Sequence, residues 1–257
     1  MSSLPPPPPP PVPPVPPGGN FAPPPGYVPY GAGGQRGFEA IRAITKWLTI
    51  LLAVSAATQV LSVLTQIGLR GEVVELSNGL DGLTGGFAVY LLVSLAAGAV
   101  GLAVLVLEVI FAYRIAKNLR ILGRTTASFG PGATIATVIL GSCTLGILPY
   151  FMWRELWAGS EPSMPAHAPE WKQAPVAAIV TQNLVLSIVS TLAGLVAGGG
   201  AAFLRIGSTN SNDLADRLDN GYTALIVSGF LTAAATLVLM QLVRQLGARH
   251  MMATREP

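Results

Sequence analysis

One carboxylate lies inside a strongly apolar stretch: Glu108, within residues 87–111. A charged side chain in hydrocarbon is costly, so an intramembrane carboxylate is a candidate for ion or substrate coupling. The competing reading is structural. Glu108 lies about one turn from the end of the stretch, and Arg114 and Lys117 follow. It then reaches the interface or pairs with a cation such as Lys46 or Arg244. Uncharged polar groups recur in other apolar stretches: Gln59 and Gln66, and the cluster Thr181, Gln182 and Asn183. Gln59 and Gln66 are about two helical turns apart and share a face. Amides of this kind bond across helices for about 0.6–2 kcal/mol, or line a polar path.

Other chemistry finds little support. The motifs HExxH and GxSxG are absent, as are a P-loop and a convincing GxGxxG. Cys143 is the single cysteine, so one chain offers no disulfide framework and no cysteine-rich metal site. His167 sits in a proline-rich linker and His250 in a basic tail, neither with a partner legible in sequence. Asp213, Asp216 and Asp219 recur every three residues, whereas a calcium loop needs a spacing of two. A short solvated helix capped by Ser211 or Asn212 accounts for them better. The chain therefore reads as a non-enzyme with no cofactor and no metal.

The elements that position these residues follow from composition. Of 257 residues, 51% are apolar and 11% charged, against roughly 25% charged in a soluble domain. Five apolar stretches cover residues 47–67, 87–111, 133–152, 176–203 and 222–243. Each is long enough to span a bilayer, and backbone in lipid must bond to itself, so they are helices. The third contains Gly141, Gly146 and Pro149 and follows Pro131–Gly132. If it does not cross, and the N-terminus is cytoplasmic, twelve of the fifteen Lys/Arg fall inside. If all five cross, nine do. The positive-inside rule favours the first arrangement. The expected fold is thus all-α: a multi-pass helical bundle of the cell membrane, with four spans plus a non-crossing apolar element. Five spans is the alternative. A dipping third stretch then leads into a short interfacial helix at residues 150–158. In this arrangement Trp47, Trp153, Trp157 and Trp171 form an interfacial belt, with Trp153 and Trp157 sharing one helix face. Gly194 and Gly198 form a GxxxG pair, and Gly98 and Gly101 a second thin surface, for close helix packing or a homo-oligomer.

The N-terminus is different in kind. Fifteen of the 22 prolines lie in the first 29 residues, with an unbroken run at 5–11. Proline removes backbone donors, so polyproline II is expected over residues 5–17 within a disordered Pro/Gly-rich tail, residues 1–37. Such a tail docks on SH3- or WW-type grooves of a protein partner, or acts as a spacer. The helical membrane domain is then 38–250, and 251–257 a C-terminal tail. The formal net charge of +3 gives no nucleic-acid stripe. The cations flank apolar segments instead, where anionic lipid headgroups lie.

Two segments carry a resemblance. One reads YRIAKNLRILG from Tyr113, the other LPYFMWRELWAGSEP from Leu148. Through Tyr113, Arg114, Asn118, Leu119 and Gly123, and through Pro149, Tyr150, Met152, Arg154, Glu155, Leu156, Trp157, Ser160 and Pro162, residues 45–245 resemble the DUF4328 family of bacterial membrane proteins. Members tend to carry a tryptophan and a further proline in the third stretch, where this chain has glycines. The resemblance implies a membrane bundle and no mechanism. It draws attention to Arg114, Asn118, Arg154, Glu155 and Trp157, with Glu155 expected to neutralise a neighbouring cation. Two functions follow: a membrane anchor or scaffold using a cytoplasmic proline-rich tail, or a small transporter or channel-like bundle built on Glu108.

Overall fold

A computed structural model of the chain describes residues 37–68, 85–204 and 211–256, with backbone alone at 85–87, 142, 198–204 and 211–221. The proline-rich tail and the loop at 69–84 lie outside the described residues, as do the side chains of the Asp213–Asp219 cluster. Every regular element described is helical: α1 Arg42–Gly68, α2 Gly85–Ile121, α3 Pro131–Ile139, α4 Ile147–Gly159, α5 Ala178–Leu204 and α6 Ser211–Thr254, with 3-10 turns at Ser142–Thr144 and Pro169–Gln173.

Four helices are long and apolar enough to cross a membrane: Arg42–Gly68, Ala88–Ile121, Ala178–Ala197 and Tyr222–Thr254. Their outer faces carry large unpacked side chains, with Leu95 70%, Leu102 66% and Val196 68% exposed. A soluble monomer rarely shows continuous apolar surface of that extent. The chain is therefore a helical bundle of the four-span kind, an integral membrane protein.

The third apolar stretch does not cross. α3 starts beside the end of α2, where Gly130 meets the Arg120 guanidinium. It runs inward to a tip at residues 140–146, which touches Ser187 of α5. α4 then returns, and Gly159 packs on Leu119 of α2. Both ends of this hairpin thus lie at one end of the bundle. The reversal falls on two consecutive left-handed residues, Leu145 (φ 51°) and Gly146 (φ 79°). Glycine enters that region without strain, and at Gly146 a Cβ would stand 3.0 Å from Ser187 Cβ.

The helices form a ring. α5 packs on α6, α6 on α1, α1 on α2, and α2 on α3, while α4 contacts both α2 and α5. The re-entrant hairpin therefore fills the place between α2 and α5, which have little direct contact. The buried core lies toward the end where the hairpin enters, around Leu48, Phe111, Leu119, Trp153, Leu156 and Leu246.

Several expectations change here. Trp153, Trp157 and Trp171 are 1%, 6% and 1% exposed, and only Trp47, at 59%, faces outward. The face shared by Trp153 and Trp157 is turned into the core, because α4 is wedged into the ring and does not lie flat at the interface. Gly98, Gly101 and Gly194 have nothing within 4 Å of where a Cβ would stand, so they are not close-packing points within the chain. Close approach occurs at Gly247, where a Cβ would stand 2.6 Å from Thr45 Cγ2 of α1. Residues 251–256 are not a free tail. α6 runs to Thr254, and the Glu256 carboxylate accepts from Ile41 N–H at 3.0 Å and Arg42 N–H at 3.0 Å. It caps α1 from 215 positions away and satisfies donors that a helix start leaves open. Nor is the Asp213–Asp219 segment a separate short helix: α6 continues through Asn220–Gly221, since one interior glycine costs only about 1 kcal/mol.

Candidate functional site

Glu108 is set much deeper than its sequence position implied. α2 extends beyond residue 111 to Ile121, so Glu108 stands thirteen residues, roughly 20 Å at 1.5 Å per residue, from the end of the helix. It faces the tip of the hairpin across a cavity of about 240 Å³. Gly141, Gly146 and Pro149 line this cavity from the hairpin, and Asn183, Ser187, Ser190 and Thr191 from α5. Thr232 and Thr236 line it from α6. Glu108 makes no ion pair among the described residues, neither with Lys46 nor with Arg244. The six polar side chains on α5 and α6 present hydroxyls and an amide, and none is charged. A 240 Å³ space is ample for several waters, each of about 30 Å³ in the liquid.

The polar lining extends to α1. The Thr236 hydroxyl donates to Gln59 Oε1 at 3.3 Å, and Gln59 Nε2 donates to Ser55 Oγ at 3.2 Å. Gln59 therefore makes the interhelical bond expected of it and extends the cavity's polar wall. Asn183 is buried at the cavity, whereas Thr181 and Gln182 are exposed. Gln66 Oε1 is buried without a partner.

Arg114 and Asn118 meet in a second cluster at the hairpin's entry end. Here residues 37–41 lie along α2. Glu39 bridges Arg114 (3.3 Å) and Lys117 (2.5 Å). The hydrogen bond from Lys117, with the charges of Lys117 and Arg114, holds the Glu39 carboxyl below its ordinary value. Arg114 Nη1 also donates to Ala40 O at 2.7 Å. Asn118 is fully buried and uses its whole amide. Oδ1 accepts from Glu39 N–H at 2.8 Å, while Nδ2 donates to Glu39 O at 2.9 Å and to His250 Nε2 at 3.1 Å.

That last bond assigns the histidine. Nε2 accepts, so a neutral ring carries its proton on Nδ1, which faces Ser160 Oγ at 2.8 Å. His250 is completely buried and joins α6, α2 and the end of α4. Read as a residue of a basic tail, it offered no sign of this. The one available signal was its spacing from Val243 and Leu246, which places it on the apolar stripe of α6.

The remaining candidates separate. Trp157 lies under Arg249, whose guanidinium carbon is 4.9 Å from the ring centroid and whose Nε donates to Trp157 O at 3.2 Å. Arg249 also pairs with Glu161. Glu155 neutralises no cation among the described residues; its Oε1 accepts from Phe129 N–H at 3.0 Å, because α4 brings it to the start of α3. The cations paired at this end meet Glu39 and Glu161 instead. Arg124 is 1% exposed. It donates to the carbonyls of Pro165 (3.0 Å), Ala168 and Met164, pinning the loop that follows α4. Arg154 is exposed and makes no ion pair or hydrogen bond among the described residues.

No group of three or more His, Cys, Asp or Glu among the described residues is arranged to hold a metal ion. No protein-family model, curated protein or solved structure matches the chain.

Proposed function

We propose that this integral membrane protein is a small transporter or channel-like bundle that takes a proton or small cation at Glu108. The observation that carries the reading is the cavity at the hairpin tip. A carboxylate there faces hydroxyls and an amide in a space of about 240 Å³ and meets no protein cation among the described residues. Ionisable groups inside a membrane bundle mark ion and proton pathways. Irregular backbone at membrane depth is tolerated where it lines a cavity, as residues 140–146 do. The anchor or scaffold reading draws on the proline-rich tail, outside the described residues, and the cavity supports the transport reading more directly. The DUF4328 resemblance is part of the same proposal and is carried by the two motifs alone.

The test is flux through purified protein in liposomes, with an internal pH dye for protons and with sodium- and potassium-sensitive dyes. Wild type should dissipate an imposed gradient of one of these ions faster than empty liposomes. Glu108→Gln should reduce that rate at least tenfold while keeping its elution volume and melting temperature. A wild-type rate equal to that of empty liposomes, or an unchanged rate in Glu108→Gln, overturns the reading.

A further inference from the structure

A second concavity lies on the outside of the hairpin, away from Glu108. It measures about 360 Å³ and is walled by Ser128 and Phe129, by the outer edge of α4 and by the 3-10 turn carrying Trp171 and Lys172. Arg154 is carried by α4 and Lys172 by the turn. Both are exposed. Arg154 has no protein partner among the described residues, and Lys172 has only the Trp171 ring, 5.5 Å from its Nζ. Two other cations near the hairpin's mouth are engaged: Arg124 on carbonyls and Arg249 on Glu161. Glu155 also lines the groove, but one of its oxygens is taken by Phe129 N–H.

The apolar approach to this groove is as specific as its charge. Ile147, Phe151, Arg154 and Ala158 follow one face of α4. Ile147 and Phe151 are 48% and 47% exposed and form a ridge running from membrane depth up to Arg154. From Ile147 to Arg154 the rise is roughly 10 Å. A molecule lying on this face meets hydrocarbon-like surface along Ile147 and Phe151 first, then a pocket in which Arg154 and Lys172 stand among Phe129, Ala158 and Trp171. Those two surfaces match an acyl chain and an anionic headgroup.

From this geometry we infer that the groove between α4 and the Trp171–Lys172 turn is a binding site for an anionic phospholipid. Its phosphate is held by Arg154 and Lys172 and one acyl chain lies along Ile147 and Phe151. The inference is independent of the Glu108 reading, since the two cavities share no lining residue.

Native mass spectrometry of the full chain tests it, with phosphatidylglycerol titrated against phosphatidylcholine and phosphatidylethanolamine. Wild type should retain phosphatidylglycerol with at least tenfold preference, roughly what one charge-assisted hydrogen bond supplies. The pair Arg154→Gln and Lys172→Gln should abolish the preference. Arg244→Gln, an exposed cation on α6, should leave it intact. The double variant should melt like wild type, because neither Arg154 nor Lys172 makes a hydrogen bond or ion pair among the described residues. Excess inorganic phosphate should not displace the lipid. Three results overturn the proposal: equal retention of the three lipids, equal losses in the Arg244 variant, or displacement by free phosphate, which would make this an anion site without an acyl subsite.

Discussion

Single residues decide how the hairpin's entry end is held together. His250 satisfies Asn118 and Ser160 at once, and buried polar groups stripped of their partner cost about 1–3 kcal/mol each. His250→Phe keeps the ring volume and removes both bonds. We expect it to lower stability by about 3 kcal/mol, read as a fall in melting temperature in detergent, while Asn118→Ala frees residues 37–41 from α2 to proteolysis. Glu161 gives a pH dependence with a definite sign. Hydrogen bonds from Ser163, then the Arg249 charge, hold its carboxyl below the ordinary 4.5. Its contribution is therefore complete above that value and is lost as pH falls through the lowered folded value. Melting temperature should drop as pH is taken from roughly 5 to 3, and Glu161→Gln should flatten that limb; an unchanged limb would remove Glu161 from the account. The residue-level chemistry was unevenly legible. Glu108 stood out because charge in an apolar run is rare. His250 and Glu39 did not, because their partners lie 132 and 79 positions away, a distance that no local pattern encodes.

At the level of elements, the hairpin is the informative one. Its failure to cross was readable from charge distribution and from Gly141, Gly146 and Pro149, and its second helix was expected at 150–158 against Ile147–Gly159 in the fold. What the helix does was misread. A pair of tryptophans four apart suits an interfacial anchor and a core wedge equally, and only the ring's gap between α2 and α5 selects the second. The glycines at the hairpin tip also acquire a reason. At Gly141 a Cβ would stand 2.9 Å from Pro149 Cγ, and Gly146 is left-handed beside Ser187. Gly146→Val should therefore push the tip off α5 and deform the Glu108 cavity. If Glu108 carries flux, this variant should lose it with a smaller change in melting temperature than His250→Phe. Retained flux would show that the tip does not shape the pathway.

Across the whole molecule, stability is concentrated toward one end. The buried core and the paired cations lie where the hairpin enters, while the outward faces of the spans are left to lipid, as the exposed Leu95, Leu102 and Val196 indicate. A chain lacking residues 1–35 should then keep its melting temperature and any Glu108-dependent flux, and crosslinked purification from native membranes should tell whether partners leave with the tail. A lost fold in that variant would contradict the picture of a self-sufficient bundle. The number of spans was legible because hydropathy is a local property summed over a segment. The closure of the ring was not, since it depends on which helices find each other. The Glu256 cap on Ile41 and Arg42 shows what that means during synthesis. The first span is made early, yet the side chain that completes its start is translated some 215 positions later. Until then the opening turn of α1 has its donors free, and the Asn118 amide waits 132 positions for His250. A nascent chain halted before residue 250 holds all four spans in outline and neither fastening, so both contacts form only once the C-terminal end of α6 has been made.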